Sequence, residues 1–268
     1  MTLDRNTSQF FSISLGQLPA LLLDAIFWEP PMLYRKSTLA ILLALIFISF
    51  FGTLTLSASM FPQSYDWRYR VISNLLSPRD NPEHYRLAAM GMSLSGVLML
   101  PFAGYLRHRL RNFAPKMATA TAAAFLLAII GLICASFVVP QHSHPTAGIR
   151  RLHELLGHFC AGFFAMAMFC GCWCASKVRT QSKSAAWLFW IWLVVTAAPL
   201  IGFFGRETLL LSMALEPPWA DQIRAMLRDS VFWHLGFWEW TGAAGIFIFL
   251  CAAVLFLPAC RTMAIRTE

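Results

Sequence analysis

Histidine and glutamate side chains lie near the start of a long apolar segment in the second half of the chain. Glu154 and His158 are four residues apart in RRLHELLGHFCAG, so a helix would place them on one face. His153 is five residues from His158 and would point to a different face. A carboxylate beside an imidazole is suited to proton transfer in ester chemistry. We therefore take His153, Glu154 and His158 as candidate catalytic residues.

A second group of such residues stands at the start of the last apolar segment, DSVFWHLGFWEWTGAAG. His234 and Trp238 are one helical turn apart, and Glu239 lies inside a long apolar run. A charge at membrane depth is costly unless it faces the bundle interior and has a partner there. We expect His158, His234 or Arg206 to be that partner. His234 and Glu239 are further candidate catalytic residues, and Arg206 and Trp238 are candidate substrate-binding residues.

A polar stretch, SYDWRYRVISNLLSPRDNPEHY, occupies residues 64–85 between the first two apolar segments. Its Asp66 is another candidate catalytic carboxylate. The side chains suited to binding an anionic headgroup are Arg68, Ser73, Asn74 and Arg79. Guanidinium groups bind phosphate through paired N–H donors. We therefore expect this stretch to cover a headgroup-sized site where three loops converge, with Glu83 and His84 as ordinary loop residues.

Cofactor motifs are not specific in this sequence. The histidine spacing does not match H-E-x-x-H, so the metal and the cofactor stay undetermined. His158 and His234 could ligate a haem, but the histidines do not form two facing helical pairs. The sequence contains no Walker loop, G-x-S-x-G elbow or G-x-G-x-x-G motif.

The apolar segments determine the fold class. Of the 268 residues, 58% are hydrophobic and 13% are charged, against about 25% charged residues in a soluble domain. Six segments reach the ~20 residues that span a ~30 Å hydrocarbon core. These segments are residues 38–59, 87–106, 117–139, 155–175, 186–204 and 231–257. The sequence therefore predicts an all-α polytopic integral membrane protein, a six-helix bundle.

The segments outside this bundle are short. Residues 1–37 are expected to form a cytoplasmic segment with an interfacial helix near 17–28, which is too short and too Pro-broken to span. Residues 38–257 form the single transmembrane domain, and residues 258–268 form a cytoplasmic tail.

Three smaller patterns lie within that domain. ADQIRAMLRDS is amphipathic and predicts a short interfacial helix before the sixth span. The run GAAG at 242–245 predicts close helix packing. Cys170, Cys172 and Cys174 are interpreted as small helix residues, with palmitoylation or metal binding as the alternative.

The basic residues indicate the orientation of the chain. Six spans place both termini on one side, which has 12 Lys and Arg residues against nine on the other. The positive-inside rule then places both termini in the cytoplasm, and we expect the plasma (inner) membrane. The net charge of +8 would face anionic inner-leaflet lipid, so no nucleic-acid partner is implied. Six of the seven histidines would lie on the outer side.

The six spans and the first loop together resemble a known group of proteins. The pattern Tyr-Asp-Trp…Ile-Ser-Asn-Leu…Pro in residues 65–78 is similar to the DRAM/FRAG/Sfk-type membrane proteins and a related bacterial six-helix family of unknown function. Asn74 stands where those families usually have an acid, and no Gly follows Leu75. The resemblance implies lipid remodelling or the organisation of phosphoinositide and sterol, and it singles out Ser73 and Asn74.

Together these patterns predict a membrane protein with a polar His/Glu/Arg pocket at the outer leaflet that binds or remodels lipid headgroups. Membrane lipids are the expected partners, and protein partners stay undetermined. An enzyme of this kind would be a lipid hydrolase or a headgroup transferase. The alternative is a non-catalytic scaffold or lipid and sterol organiser, in which the cluster is a structural ion-pair network. A small-solute transporter is the third hypothesis.

Overall fold

A computed structural model describes residues 34–138, 147–214, 219–227 and 229–257. Within these ranges the chain is helical and contains no β-strand. The α-helices are α1 (Lys36–Ser59), α2 (Ile72–Leu76), α3 (Tyr85–Leu110), α4 (Pro115–Phe137), α5 (Ala147–Val178), α6 (Lys183–Met213), α7 (Ala220–Leu227) and α8 (Leu235–Phe256). A 3-10 turn, Val231–Trp233, precedes α8.

Six of these helices are long and apolar enough to cross a membrane: α1, α3, α4, α5, α6 and α8. The mean hydropathy of their most apolar windows runs from 1.6 to 2.5. The prediction of an all-α protein with six membrane-spanning helices is therefore confirmed. Three segments lie outside the described residues: the predicted interfacial segment at 17–28, the tail at 258–268 and most of the loop between α4 and α5.

Several helix ends differ from the prediction, and helix α5 begins at Ala147, eight residues before the predicted start at 155. Helix α6 continues to Met213, nine residues beyond the predicted end at 204, and its 31 residues extend over about 46 Å. Hydropathy marks where a helix leaves the hydrocarbon, whereas a helix can continue into the polar region. Helix α8 begins at Leu235 rather than at 231, because His234 has an extended backbone with φ −94° and ψ 132°.

The six spanning helices close into a ring. Each one packs against the next spanning helix along the chain, and α8 returns to pack against α1. Large aromatic side chains fill the interior; Trp192 and Phe249 are fully buried and stack with their ring centroids 4.2 Å apart. The Trp192 indole also donates to the Phe249 carbonyl oxygen at 2.9 Å, so this buried N–H group has a partner inside the bundle.

Helices α1 and α3 approach unusually closely at Gly91. A Cβ atom at this position would collide with the Thr53 side chain and with the Ser49 carbonyl oxygen. Here α1 passes through a π-helical turn, Ile48–Gly52, which disturbs the regular backbone ladder. The Thr53 hydroxyl donates to the Ser49 carbonyl at 2.6 Å. The π-turn and the glycine together bring the two backbones into contact.

The smaller sequence patterns have mixed outcomes. Helix α7 confirms the predicted short helix before the sixth span. Of the two glycines in GAAG, Gly245 packs against the Val195 carbonyl of α6, whereas Gly242 has open space around it. Close packing therefore holds at one end of that run.

The three cysteines of α5 are buried. Cys170, Cys172 and Cys174 are at most 7% exposed, and the Cys172 Sγ lies 3.6 Å from the Thr196 hydroxyl. This burial agrees with their interpretation as small packing residues. The burial argues against the alternative of palmitoylation, since an acyl donor needs access to the thiol.

Gly91→Ala is expected to lower the free energy of unfolding by about 1–3 kcal/mol, because the added methyl group forces α1 and α3 apart. Thermal unfolding of the detergent-purified protein measures this. Gly162→Ala is the matched control, since nothing lies within 4 Å of the added Cβ. Equal melting temperatures for the two variants would contradict the close approach.

Candidate functional site

The first loop, residues 60–84, lies against the start of α8. The backbone of Arg70 lies so close to Gly236 that a Cβ there would overlap it. Trp67 stacks on Phe237 with ring centroids 6.1 Å apart. The Tyr69 ring meets His234 edge-on at 4.5 Å. The first loop and the segment that opens α8 therefore meet, whereas much of the loop before α5, which was expected to join them, lies outside the described residues.

Glu239 joins the first loop to α8 by a hydrogen bond. Its Oε2 accepts from the backbone N–H of Ile72 at 2.7 Å. Ile72 is the first residue of α2, and the first amides of a helix have no acceptor within the helix. The partner of Glu239 is therefore a backbone amide, and the expectation of His158, His234 or Arg206 as its partner is wrong. A carboxylate suits this position because it meets an otherwise unpaired donor.

Tyr65 and Trp240 form a second connection between the same elements. The Tyr65 hydroxyl lies 3.1 Å from both the Arg70 and the Val71 carbonyl oxygens, to which it donates. It accepts from the Trp240 indole N–H at 3.2 Å. Burial raises the pKa of the Tyr65 phenol well above its ordinary value, so the hydroxyl stays protonated and remains a donor.

The returning half of the first loop is anchored by Asn81. This side chain is fully buried, and its amide donates to the Ser57 hydroxyl at 2.8 Å and to the Leu75 carbonyl at 3.0 Å. Ser57 belongs to α1 and Leu75 to α2. The loop is therefore attached to the bundle on both of its sides.

Two arginines of the anchored loop line one small pocket. The cavity measures about 220 Å³ and is lined by Phe61, Pro62, Gln63, Arg70, Arg79, Asp80 and Pro82. We call it the arginine pocket. The Arg70 guanidinium donates to the Gln63 amide oxygen at 2.8 Å and lies 5.2 Å from the centroid of the Phe61 ring.

The acid of the arginine pocket orients its neighbours. Asp80 accepts from Arg79 Nε at 3.1 Å through one oxygen and from the Asn74 amide at 3.2 Å through the other. Predicted binding residues Arg79 and Asn74 thus meet at one carboxylate. Ser73 lies beside Asn74 in α2 and is partly exposed.

Asp66 and Arg68 pair with each other rather than with the pocket. The Arg68 guanidinium donates to the Asp66 carboxylate at 2.7 Å, and both side chains are exposed. The hydrogen bond from Arg68 lowers the pKa of Asp66 below its ordinary value. The two charges therefore pair within one short turn of the first loop, where the Arg68 backbone N–H also donates to the Asp66 carboxylate.

Arg206 and Trp238 stabilise the turn before α8. Arg206 Nε donates to the Trp233 carbonyl at 2.7 Å, and its guanidinium pairs with Glu207. The Trp238 indole donates to the Phe232 carbonyl at 2.8 Å. The polar atoms of Arg206 and Trp238 therefore stabilise the turn that precedes α8.

His234 lies at this junction with one buried nitrogen. Its Nε2 has no hydrogen-bond partner among the described residues. Its ring contacts Tyr69, as given above, and it stands two residues before the glycine that meets Arg70. His234 thus lies between the first loop and α8, and its ring packs edge-on with the Tyr69 ring.

The candidate residues at the start of α5 make local contacts. His153 Nδ1 lies 2.7 Å from the Val138 carbonyl oxygen, beyond the end of α4. His158 is exposed, and its Nδ1 lies 2.7 Å from the Glu154 carbonyl within the same helix. Glu154 is also exposed. His153 contacts Val138 and His158 contacts its own helix, so neither of these contacts involves Glu239 or His234.

The ionisable groups do not assemble into a metal site within the described part of the chain. No three His, Cys, Asp or Glu side chains there lie close enough together to hold an ion. The catalytic roles predicted for His153, Glu154, His158, His234, Glu239 and Asp66 stay predictions.

Several residues of the site were not among the sequence predictions. The first loop has no periodic pattern that would mark which side chains point inward, so the sequence did not single out Gln63, Arg70 or Asn81. Tyr65 and Trp240 are far apart in the sequence. The signal that was available is the run of three arginines in a loop between two spans, and it does not distinguish Arg70 from Arg68.

Comparison of the chain with protein-family models, with curated proteins and with solved structures gives no match.

Glu239→Ala is expected to loosen the first loop, since the Ile72 N–H loses an acceptor worth about 1–3 kcal/mol. Trypsin cleavage after Arg68 and Arg70 in detergent measures loop opening, and the rate should rise. Loop cleavage is the better readout, because removing an ionisable group from an apolar site changes global stability by itself.

Glu239→Gln retains an acceptor oxygen and should have a smaller effect on cleavage. Glu83→Gln, an exposed acid in the same loop, is the control and should leave the rate unchanged. Cleavage of the Glu239→Ala protein at the parent rate would show that this hydrogen bond does not hold the loop.

Proposed function

We propose that this multi-pass membrane protein binds the anionic headgroup of a membrane lipid in the arginine pocket. The observation that supports this most directly is the presence of two guanidinium groups, Arg70 and Arg79, on one cavity of about 220 Å³. Ligand pockets for drug-sized molecules hold roughly 300–1,000 Å³. The volume therefore suits a phosphate-sized group and leaves the lipid tails outside.

The charge balance of the pocket favours an anion. Asp80 is bonded to Arg79 and to Asn74, so its negative charge offsets the first guanidinium. Arg70 has the neutral amide of Gln63 as its partner in the pocket. One positive charge is left over, and the remaining N–H groups of the two arginine forks match the oxygens of a phosphate.

The surroundings of the pocket suit the headgroup region. Trp67 and Tyr69 of the same loop are 48% and 41% exposed. Such amphipathic rings are enriched where membrane meets water. The pocket lies on a loop that directly joins two spanning helices, which supports a position of its mouth near the lipid phosphates.

Binding is proposed here in preference to catalysis. A general base must lie within hydrogen-bond reach of the group it activates, and the acid of the pocket, Asp80, already accepts through both oxygens. The candidate imidazoles His153 and His158 make their described contacts elsewhere. The lipid titration described below also tests the hydrolase and transferase hypotheses, because an enzyme of either kind would form a product from the added lipid.

We further propose that both termini are cytoplasmic and that the pocket faces the outer leaflet of the plasma (inner) membrane. The charge asymmetry of the loops supports this orientation. The resemblance of residues 65–78 to the DRAM/FRAG/Sfk-type proteins is in line with a lipid ligand, and it stays a proposal.

Ser64→Cys should be labelled by a membrane-impermeant maleimide in intact cells, because residue 64 is exposed on the first loop. Gln181→Cys, which is exposed between α5 and α6, should be labelled only after permeabilisation. The parent protein with its native cysteines gives the background. The reverse labelling pattern would invert the orientation.

Arg70→Gln and Arg79→Gln should each weaken binding of an anionic phospholipid by roughly tenfold or more, since a hydrogen bond to a charged group is worth about 1.5–3 kcal/mol. The measurement is native mass spectrometry of the detergent-purified protein titrated with short-chain phosphatidylglycerol, with phosphatidylcholine as the neutral comparison.

Arg68→Gln is the matched control, because it removes the same charge from the same loop outside the pocket. Equal loss for all three variants would indicate non-specific attraction and contradict the pocket. Release of a free headgroup or diacylglycerol, absent in the Arg70→Gln protein, would replace the binding proposal with a hydrolase.

A further inference from the structure

We propose a second lipid site, separate from the arginine pocket, that binds a phospholipid through one acyl chain and through its phosphate at Arg86. The site is a cleft of about 310 Å³ where the start of α3 meets the end of α4. We call it the α3–α4 cleft. It shares no lining residue with the arginine pocket.

The walls of the α3–α4 cleft are mainly apolar. The first two turns of α3 contribute Ala89 and Met90, the last turn of α4 contributes Phe137, and α2 contributes Leu76. Ala89 is 7% exposed, whereas Met90 and Phe137 are 68% and 64% exposed. A small buried side chain between two large exposed ones leaves a recess that opens sideways, where a lipid chain can enter from the bilayer.

One cation stands at the mouth of this recess. Arg86 donates from Nε to the Tyr85 hydroxyl at 3.1 Å, and its guanidinium lies 5.7 Å from the centroid of the Tyr85 ring. Within the described residues its contacts include no carboxylate. The hydrogen bond orients the guanidinium, and its remaining donors are left for an anionic ligand.

The depth of Arg86 selects the ligand class. It stands on the first turn of a spanning helix, beside a tyrosine, at the level typical of the membrane interface. The apolar recess continues one turn further along the helix, towards the membrane interior. A phosphate above an acyl chain has this arrangement. A soluble anion would satisfy Arg86 and leave the apolar wall uncovered, and a neutral sterol would leave the cation unpaired.

The test uses the full-length protein in nanodiscs of phosphatidylglycerol that contain a trace of a phospholipid with a diazirine on one acyl chain. After photolysis, peptide mass spectrometry locates the crosslinks. They should concentrate on Met90 and Phe137. Met90→Trp fills the recess from an exposed position and should reduce the crosslinks at Phe137 by roughly tenfold, in line with about 1.4 kcal/mol of lost affinity.

Leu94→Trp is the matched control for this change. Leu94 is 52% exposed one turn further along α3 and does not line the cleft, so the crosslinks at Phe137 should persist. Arg86→Gln should reduce them, and Arg86→Lys should retain most of them. Melting temperatures of all variants confirm folding, and Met90→Trp still tests the site if Arg86→Gln does not fold.

Crosslinks spread evenly along the exposed face of α3, or crosslinks at Phe137 that survive Met90→Trp, would show annular lipid only and overturn the proposal. The Arg70→Gln and Arg79→Gln proteins should keep the crosslinks at Phe137 while they lose headgroup binding in the titration. Failure of one site is therefore distinguishable from failure of the other.

Discussion

A half-buried carboxyl group bonded to a backbone amide is the constraint on which the rest of this end of the molecule depends. Glu239 lies in an apolar helix, where an ionisable group needs a partner inside the protein. The Ile72 N–H is an unpaired helix-terminal donor with the same need. Their hydrogen bond satisfies both groups at once. It also positions α2 over α8, which places the backbone of Arg70 against Gly236 and turns the Arg70 side chain towards Gln63.

The bundle below supplies a rigid base for this loop. The ring of six helices is closed by α8 on α1, and the loop between α1 and α3 therefore spans neighbouring helices. Asn81 links it to Ser57 of α1, and Tyr65 links it to Trp240 of α8. Close contact of α1 with α3 at Gly91 keeps these supports together. A shallow pocket on such a loop can hold its two arginines in place without a ligand, which lowers the cost of ordering them on binding.

The two proposed sites differ in the part of a lipid that each one would contact. The arginine pocket offers two guanidinium groups and little apolar wall, so we propose that it binds a headgroup. The α3–α4 cleft offers one guanidinium above an apolar recess, so we propose that it binds a headgroup and a chain together. Residues 78–82 run between the two sites, with Pro78 on the cleft and Arg79 on the pocket. Lipids bound at both would contact neighbouring residues of the same short segment.

By itself the sequence determined the fold class, the six spans and a short helix before the last span, because hydropathy and helical periodicity depend on residues close together in the chain. It also indicated a polar loop rich in arginine and an acid inside α8. Only the tertiary structure decided that Glu239 bonds to Ile72 rather than to a histidine, and that Arg70 joins Arg79 while Arg68 pairs with Asp66. Those outcomes depend on which backbone group lies opposite each side chain, across separations such as the 167 residues between Ile72 and Glu239.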